Sequence, residues 1–397
     1  MNSILNLGPV PSSEIIISES RFVYLIDLRL VNLHPFLGRG FFFSLNLTEE
    51  FPGVTIWSLL RGEKTLSRYD VVVIGGGHAG CEAAWAAAAM GAQTALVTMS
   101  VEKLAWMSCN PAIGGVAKGQ LCREIDALGG VMGRVADRAG IHFKILNASK
   151  GPAVRAPRAQ ADRKLYSQIM REYLEHAANL TLVEGEAAEL ICRDGRAQGV
   201  DLIDGRKLAA DAIILTPGTF LRGLMHIGFD KEAGGRVGDP PSNALSASLS
   251  AHGFDLSRLK TGTPARLDGS TIDYSELEEQ PGDEPSGCFS YFSTEPVKNL
   301  RSCYITYTNP ATHEIISSAF DRSPLFAGVI TGIGPRYCPS IETKVHQFPE
   351  RTRHQVFLEP EGLDTDEVYP NGVSTSLPED VQLAMLKTIP GLENVKV

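Results

Sequence analysis

The stretch Tyr69-Asp-Val-Val-Val-Ile-Gly-Gly-Gly-His-Ala-Gly80 sets an apolar strand directly before Gly75-x-Gly77-x-x-Gly80, and an alanine-rich helix pattern follows it. This order predicts a strand, a tight glycine turn and a helix whose N-terminus receives a phosphate, which is the pattern of a dinucleotide site. The glycines have separate tasks: one closes the turn, one lets bare backbone approach a pyrophosphate, and one lets the helix pack closely on the strand. Unpaired N–H groups and the positive end of the helix dipole both favour an anion there. Glu82 to Met90 reads as the helix and Thr94-Ala-Leu-Val-Thr98 as the next buried strand, so the βαβ context that a lone fingerprint lacks is present. An acid that would hold an adenosine ribose is expected ~20 residues further on. The second strand ends instead in Thr98, Met99 and Ser100, with Glu102 the nearest carboxylate.

With 397 residues, 43% hydrophobic and 21% charged, the chain can bury substantial cores, and its length predicts two domains. A net charge of -9 argues against a protein that coats nucleic acid but leaves room for a local basic surface. One such segment runs from Arg134 to Arg171, where Arg134, Arg138, Lys144, Lys150, Arg155, Arg158, Arg163, Lys164 and Arg171 face only Asp137 and Asp162. It reads either as a solvated face or as a phosphate-binding surface. Seven cysteines at irregular spacing, with no Cys-x-x-Cys pair, fit a reducing compartment better than a disulfide framework. Residues 1–68 differ in character, holding six of the sixteen Phe and the run Phe41-Phe42-Phe43. Glu14, Glu19 and Asp27 interrupt their apolar segments, so no secretory signal and no membrane span of about 20 residues is expected. They are not acid-poor enough for a mitochondrial transit peptide and read as an extension of unknown role.

Beyond the first βαβ unit, Met107 to Gly133 is punctuated by Asn-Pro and Gly-Gly steps that mark irregular backbone. A helix is expected from about Ala159 to Ala177, with Leu165, Ile169 and Leu174 as its apolar face. Strands are expected around Leu180–Glu184, Ala187–Arg193, Gln198–Leu202 and Ala212–Thr216, with hairpin chemistry at Asp194-Gly195 and Asp204-Gly205. From Arg222 to about Pro349 the chain is rich in Gly, Pro, Ser and Thr and reads as an inserted domain. The last residues, Val395-Lys-Val397, read as the start of a strand, as though the chain were cut in mid-domain.

Two cysteines stand apart. Cys109 lies in an irregular Met-Ser-Cys-Asn-Pro loop, and Cys338 follows Gly334-Pro335-Arg336-Tyr337, next to a guanidinium that would favour thiolate. Cys81, Cys122, Cys192 and Cys303 fall in helix or strand patterns, where a cysteine is usually a small buried hydrophobe, and Cys288 is undecided. The second glycine cluster, Gly328 to Gly334, lacks strand-glycine-helix order, and Lys260-Thr-Gly-Thr-Pro264 is weak as an isolated string. His226, His313, His346 and His354 show no metal spacing, so no metal is expected.

Taken together, several strings resemble one family, the flavin-dependent tRNA wobble-uridine C5 modification enzymes, also called glucose-inhibited division protein A. They are Gly75-Gly-Gly-His-Ala-Gly80, Met107-Ser-Cys-Asn-Pro-Ala-Ile-Gly-Gly115, Ile145-Leu-Asn-Ala-Ser-Lys-Gly-Pro-Ala-Val-Arg155, Gly238-Asp-Pro-Pro-Ser242, Leu259-Lys-Thr-Gly-Thr-Pro264, Gly334-Pro-Arg-Tyr-Cys-Pro-Ser-Ile-Glu342 and Phe357-Leu-Glu-Pro-Glu-Gly362. The resemblance covers about Tyr69 to Val397. It implies an α/β fold, with an FAD-binding Rossmann-like domain of the glutathione-reductase type and an inserted mixed α/β domain. The corresponding division is an extension at 1–68, an FAD domain at 69–218 with 350–397, and an insertion at 219–349.

The activity implied is FAD-dependent addition of a one-carbon unit from methylenetetrahydrofolate, and then an amine, to C5 of the wobble uridine of tRNA. NADH reduces the flavin, and a GTPase partner protein completes a heterotetramer built on a homodimer in the cytoplasm, or in the mitochondrial matrix of a eukaryote. No membrane is implied. Carried over by position, Gly75, Gly76, Gly77, His78, Ala79 and Gly80 would bind the FAD pyrophosphate, with Ala187 and Ser242 as further contacts. The segment Gly334, Pro335, Arg336, Tyr337 through Phe348 would take NAD. Cys109 and Cys338 match the two cysteines tied to activity, one for attack at uracil C6 and the other for proton or adduct handling. Arg158, Lys164 and Lys260 are candidate tRNA contacts; Lys150 and Arg155 either join them or line the flavin pocket. Family members continue well past residue 397, so a catalytically incomplete FAD-binding fragment is one alternative. The related folate- and FAD-dependent tRNA uracil-5-methyltransferase, which shares the glycine start, is the other.

Overall fold

The computed structural model describes the backbone of residues 14–19 and 22–27, and residues 66–397 apart from 333 and 335–338. The chain divides into two compact units, residues 1–63 and 64–397. In the first, β1 (Glu14–Glu19) and β2 (Phe22–Asp27) pair antiparallel, with Glu14 opposite Asp27.

The second unit begins with the strand that the glycine fingerprint requires, β3 (Leu66–Ile74), followed by helix α1 (His78–Ala89) and β4 (Thr94–Thr98). Every residue of β4 is buried, as expected of a strand covered on both faces of a parallel sheet. Helix α1 sets Gly80, Cys81, Ala84, Ala87 and Ala88 inward, and these small side chains let it lie close to the sheet. A crossover through β5 (Ala112–Gly114), α2 (Lys118–Ala127), α3 (Met132–Ala139), β6 (Gly140–Leu146), β7 (Ala156–Ala161) and α4 (Arg163–Glu175) returns to β8 (Leu180–Glu184). The sheet is completed by β9 (Ala187–Arg193), β10 (Arg196–Leu202) and β11 (Lys207–Leu215), in the order β8-β4-β3-β11-β10-β9. Strands β8, β4, β3 and β11 run parallel, while β9, β10 and β11 form an antiparallel meander. Asp194 and Gly195 both have positive φ, 51° and 72°, which is the hairpin chemistry the sequence announces. The result is an α/β, Rossmann-like fold.

The helix expected from Ala159 starts later. Ala156–Ala161 is the middle strand of a small antiparallel sheet, β5-β7-β6, and α4 begins only after Asp162, whose side chain accepts a hydrogen bond from the Leu165 N–H at 2.9 Å. Ala159 and Ala161 read locally as helix formers, yet strand partners on both sides decide otherwise.

The rest of the chain includes the hairpin β12 (Leu224–Ile227) and β13 (Asp230–Ala233), and α5 (Ala244–Ala251), whose Leu245 and Leu249 join the core beneath β9. A second, five-stranded antiparallel sheet comprises β14 (Leu267–Asp268), β15 (Glu278–Gln280), β16 (Cys303–Tyr307), β17 (Gln355–Pro360) and β18 (Glu367–Asn371), in the order β14-β18-β17-β16-β15. Helices α6 (Pro310–Ser318), α7 (Ile341–Gln347) and α8 (Glu379–Leu386) share its core, built from Leu267, Ile316, Ile341, Val356, Leu358 and Leu386. Residues 355–395 therefore pair and pack with 267–345, whereas the sequence-based division placed 350–397 in one FAD domain with 69–218. Alternation along Gln355–Pro360 marks a strand but carries no information about which strand lies beside it. Among the described residues, no helix is long and apolar enough to cross a membrane.

Candidate functional site

Site geometry starts at the carboxyl end of β3. Gly75 has φ 113°, and a Cβ there would lie 2.3 Å from the Thr216 carbonyl oxygen; one on Gly80 would lie 1.8 Å from the Gly75 oxygen. Thr216, just past β11, locks the turn by donating from Oγ1 to the carbonyls of Ile74 and Gly75, both at 3.0 Å. Gly77 differs: nothing lies within 4 Å of its Cβ position. It is also the N-cap of α1, with no side chain capping the helix. Two glycines are thus needed for close packing, and the third leaves open space in front of uncapped helix N–H groups, which is a cradle for an anion. His78 opens the helix with its ring packed 5.5 Å from that of Tyr166 and its Nε2 enclosed without a partner. Burial lowers its pKa to about 4, so the imidazole is neutral at neutral pH.

The end of β4 forms the next wall. A carboxylate from the neighbouring strand lies beside it: Glu184, at the end of β8 and paired with Thr98, accepts the Val101 N–H at 2.9 Å. Glu102 is instead exposed and paired with Arg171. The chain then returns to the glycine turn, where Ala105 N–H donates to the Gly76 carbonyl at 2.8 Å. Beside this return lie Lys103 and Arg236, each 2.6 Å from the Asp239 carboxylate, and Arg236 also donates to Ser108 Oγ at 3.1 Å. Burial opposes the charge of Asp239, but the hydrogen bonds from Lys103 and Arg236 hold its carboxyl below the usual range. Two cations against one carboxylate leave positive charge between the glycine turn and the loop that carries Cys109.

Cys109 is exposed, with Sγ 3.3 Å from the Tyr369 hydroxyl and 3.6 Å from the Gly262 carbonyl. Its loop is clamped by Arg266, which donates to the carbonyls of Cys109 (2.7 Å) and Ser108 (3.3 Å), to Glu361 Oε1 (2.5 Å) and to Thr263 Oγ1 (2.7 Å). The same guanidinium lies 4.8 Å over the ring of Tyr369. Behind it, Arg163 pairs with Glu361 and Glu367, both at 2.6 Å. Burial raises the pKa of Glu361, while Arg266 and Arg163 pull it back. A second buried pair, Arg158 with Glu359 at 2.7 Å, is tied to the loop through Asn110, which donates to Glu359 Oε2 at 3.1 Å.

The structure gathers Gly75 to Gly80, Cys109 and the Lys260 segment into one region and disperses other sequence-based candidates. Lys260 belongs to the strap that presents Gly262 to Cys109 and also flanks Gly332 and Gly334; the Gly334 Cβ position is 3.9 Å from Lys260 Cδ. Ala187 is buried at the start of β9, just past Glu184, and Ser242 is buried with its N–H on the Phe220 carbonyl at 2.8 Å. Phe348 is half-exposed at the end of α7. Lys150 and Arg155 stand exposed on a loop braced by Gln120, and Lys164 is exposed on α4. Arg158 is a correction: its side chain is 11% exposed and committed to Glu359, so it is no part of a basic surface for tRNA. Cys192 is exposed rather than a small buried hydrophobe, because it lies on an edge strand; Cys81 and Cys303 are buried. Pro335, Arg336, Tyr337 and Cys338 lie outside the described residues. Among the described residues, no group of three or more His, Cys, Asp or Glu could hold a metal ion. Sequence reasoning missed Tyr369, Arg266, Glu184 and the Lys103–Asp239–Arg236 cluster; each reads locally as an ordinary strand or loop residue.

A family model described as Glucose inhibited division protein A matches residues 70–397. The chain is 58% identical over 331 residues to the tRNA uridine 5-carboxymethylaminomethyl modification enzyme MnmG of Geobacter metallireducens, covering 83% of this chain and 53% of that protein. Its identity to the enzyme of the same name from Geobacter sulfurreducens is 57%, with the same coverage. Among solved structures, Aquifex aeolicus GidA in its form I crystal matches with TM-score 0.79 at 52% identity, covering 83% of this chain and 56% of that one. The form II crystal matches with TM-score 0.78 at 50% identity, covering 83% and 54%. The chain thus spans about half the length of the curated relatives it matches.

Proposed function

Because this chain belongs to the glucose-inhibited division protein A family, we propose that it carries the cofactor- and uridine-handling part of an enzyme that modifies C5 of the wobble uridine of tRNA. The observation that carries this reading is the position of Cys109. Ala105 is hydrogen-bonded to Gly76 in the glycine turn, and Cys109 follows four residues later, so at most about 14 Å of chain separates the two. An exposed thiol therefore stands close to a dinucleotide cradle.

The cradle fits FAD: Gly77 faces open space, α1 is uncapped, and Lys103 and Arg236 add positive charge beside it. Gly75 to Gly80 would hold the pyrophosphate, with Ala187 and Ser242 as further contacts. When bound, FAD supplies hydride chemistry. Cys109 supplies the nucleophile. Uracil C5 is a poor nucleophile, and addition of the sulfur at C6 makes C5 an enolate carbon that can attack a one-carbon electrophile. Loss of the C5 proton and expulsion of the sulfur then restore the ring. Arg266 holds the loop in place through the Cys109 carbonyl. The motif resemblance adds NADH as reductant at Gly334 to Phe348, methylenetetrahydrofolate as carbon donor, Cys338 as the second thiol, a GTPase partner, a homodimer and a cytoplasmic location.

The test has two stages. Purified chain mixed with FAD and desalted is expected to keep a visible flavin band that bleaches with anaerobic NADH; no retained flavin refutes the cradle as a complete site in this chain. Full-length enzyme bearing Cys109→Ser or Cys338→Ser, loaded with FAD and supplied with the GTPase partner and folate, is expected to leave wobble uridine unmodified. Normal modification by both variants refutes the assignment. A product carrying only a methyl group would point to the uracil methyltransferase. The half-length match favours a second reading, a fragment that binds flavin without modifying tRNA.

A further inference from the structure

We propose that Tyr369 is the positioning residue for Cys109, donating a hydrogen bond to Sγ that holds the sulfur toward the open face of its loop. The proposal rests on the reading of Cys109 as the nucleophile. Its basis is a contact between residues 260 positions apart, with the phenol oxygen 3.3 Å from Sγ. The direction of this bond follows from the other neighbour. The Gly262 carbonyl, 3.6 Å from Sγ, can only accept, so the thiol proton is directed there and the tyrosine proton points at the sulfur. Burial and the adjacent Cys109 both push the Tyr369 hydroxyl far above the ordinary tyrosine range, so it stays protonated as a donor.

Tyr369 is itself immobilised. It is 3% exposed and sits on β18, between β14 and β17. Arg266 covers its ring and grips the Cys109 carbonyl with the same guanidinium, so one side chain sets both the phenol and the backbone of its partner. A donated hydrogen bond is stronger to a charged acceptor than to a neutral one, so this contact strengthens as negative charge develops on the sulfur during reaction. When Sγ adds to an electron-poor carbon, a sulfur electron pair forms the S–C bond, the thiol proton leaves to solvent at the exposed face, and the Tyr369 O–H bond stays intact.

Thiol alkylation tests this without tRNA or folate. Iodoacetamide at neutral pH, read by mass spectrometry of the Cys109 peptide, is expected to react about ten-fold more slowly in Tyr369→Phe, the effect of one lost hydrogen bond to a charged acceptor. Exposed Cys192 serves as the internal reference and keeps its rate. An unchanged Cys109 rate overturns the proposal. If Tyr369→Phe unfolds, revealed by labelling of buried Cys81 and Cys303, the comparison moves to the parent protein. There Cys109 is expected to react faster than Cys192, and an equal or slower rate overturns the proposal. Normal tRNA modification by Cys109→Ser would remove the uridine reading and leave the alkylation result standing, so the two failures are distinguishable.

Discussion

Arg158 offers the sharpest test of the structure, because its sequence context reads as a nucleic-acid contact and its surroundings as a buried strut. Its guanidinium lies 2.7 Å from Glu359, with side-chain exposures of 11% and 1%. Glu359 also accepts hydrogen bonds from Asn110 at 3.1 Å and Asn371 at 3.0 Å. Arg158→Met removes the only cation among the described residues that pairs with this carboxylate and leaves a buried charge held by two amides. Breaking one side of a buried pair in this way costs about 3–5 kcal/mol. A domain's whole stability is about 5–15 kcal/mol, so the variant is expected to lose a large share of it. Adding Glu359→Gln removes the stranded charge, so most of the loss is expected to return, with a favourable coupling in the double-mutant cycle. Urea unfolding followed by far-ultraviolet circular dichroism reads all four proteins. A loss below about 1 kcal/mol for Arg158→Met, the range of an exposed pair, would refute the buried-strut reading. So would a double variant as unstable as the single one.

Gly80→Ala is expected to abolish FAD retention after desalting, since its Cβ would fall 1.8 Å from the Gly75 carbonyl at the turn itself; an unchanged flavin band would count against the cradle. His78 carries a depressed pKa, about 4 against an ordinary 6.5, so the unfolded chain binds the extra proton first as pH falls. Stability is therefore expected to be complete above about 6.5 and to decline toward pH 4, and His78→Phe should flatten that part of a urea-midpoint profile. Lys150→Ala and Arg155→Ala are expected to reduce the slope of tRNA affinity against log salt by about one each, measured by filter binding over a salt series; the same slope in both would remove that loop from the tRNA surface.

Legibility followed the range of the interactions. The glycine turn was readable because strand, turn and helix are contiguous: Gly80 answers to the Gly75 carbonyl a few residues back and Gly75 to its own positive φ, although the carbonyl that crowds Gly75 belongs to distant Thr216. The hairpin at Asp194-Gly195 was readable for the same reason, as positive φ is a local demand. Cys109 could be singled out by its irregular loop, but nothing near it in the chain announces Tyr369 or Arg266, which approach from residues 260 and 157 positions away. The Lys103–Asp239–Arg236 cluster likewise spans 136 positions.

By itself, then, the sequence determined the dinucleotide-type βαβ start, the approximate positions of the first sheet's strands, and the two cysteines worth testing. Tertiary structure alone decided that Gln355–Pro360 and Glu367–Asn371 belong to the second sheet, that Arg158 is buried rather than presented, and that Glu184 lies beside Thr98 at the end of the second strand. The physical reason is that backbone conformation and hydrophobic periodicity are written residue by residue. Strand partners, ion pairs and the neighbours of a thiol depend instead on which distant segments the folded chain brings together.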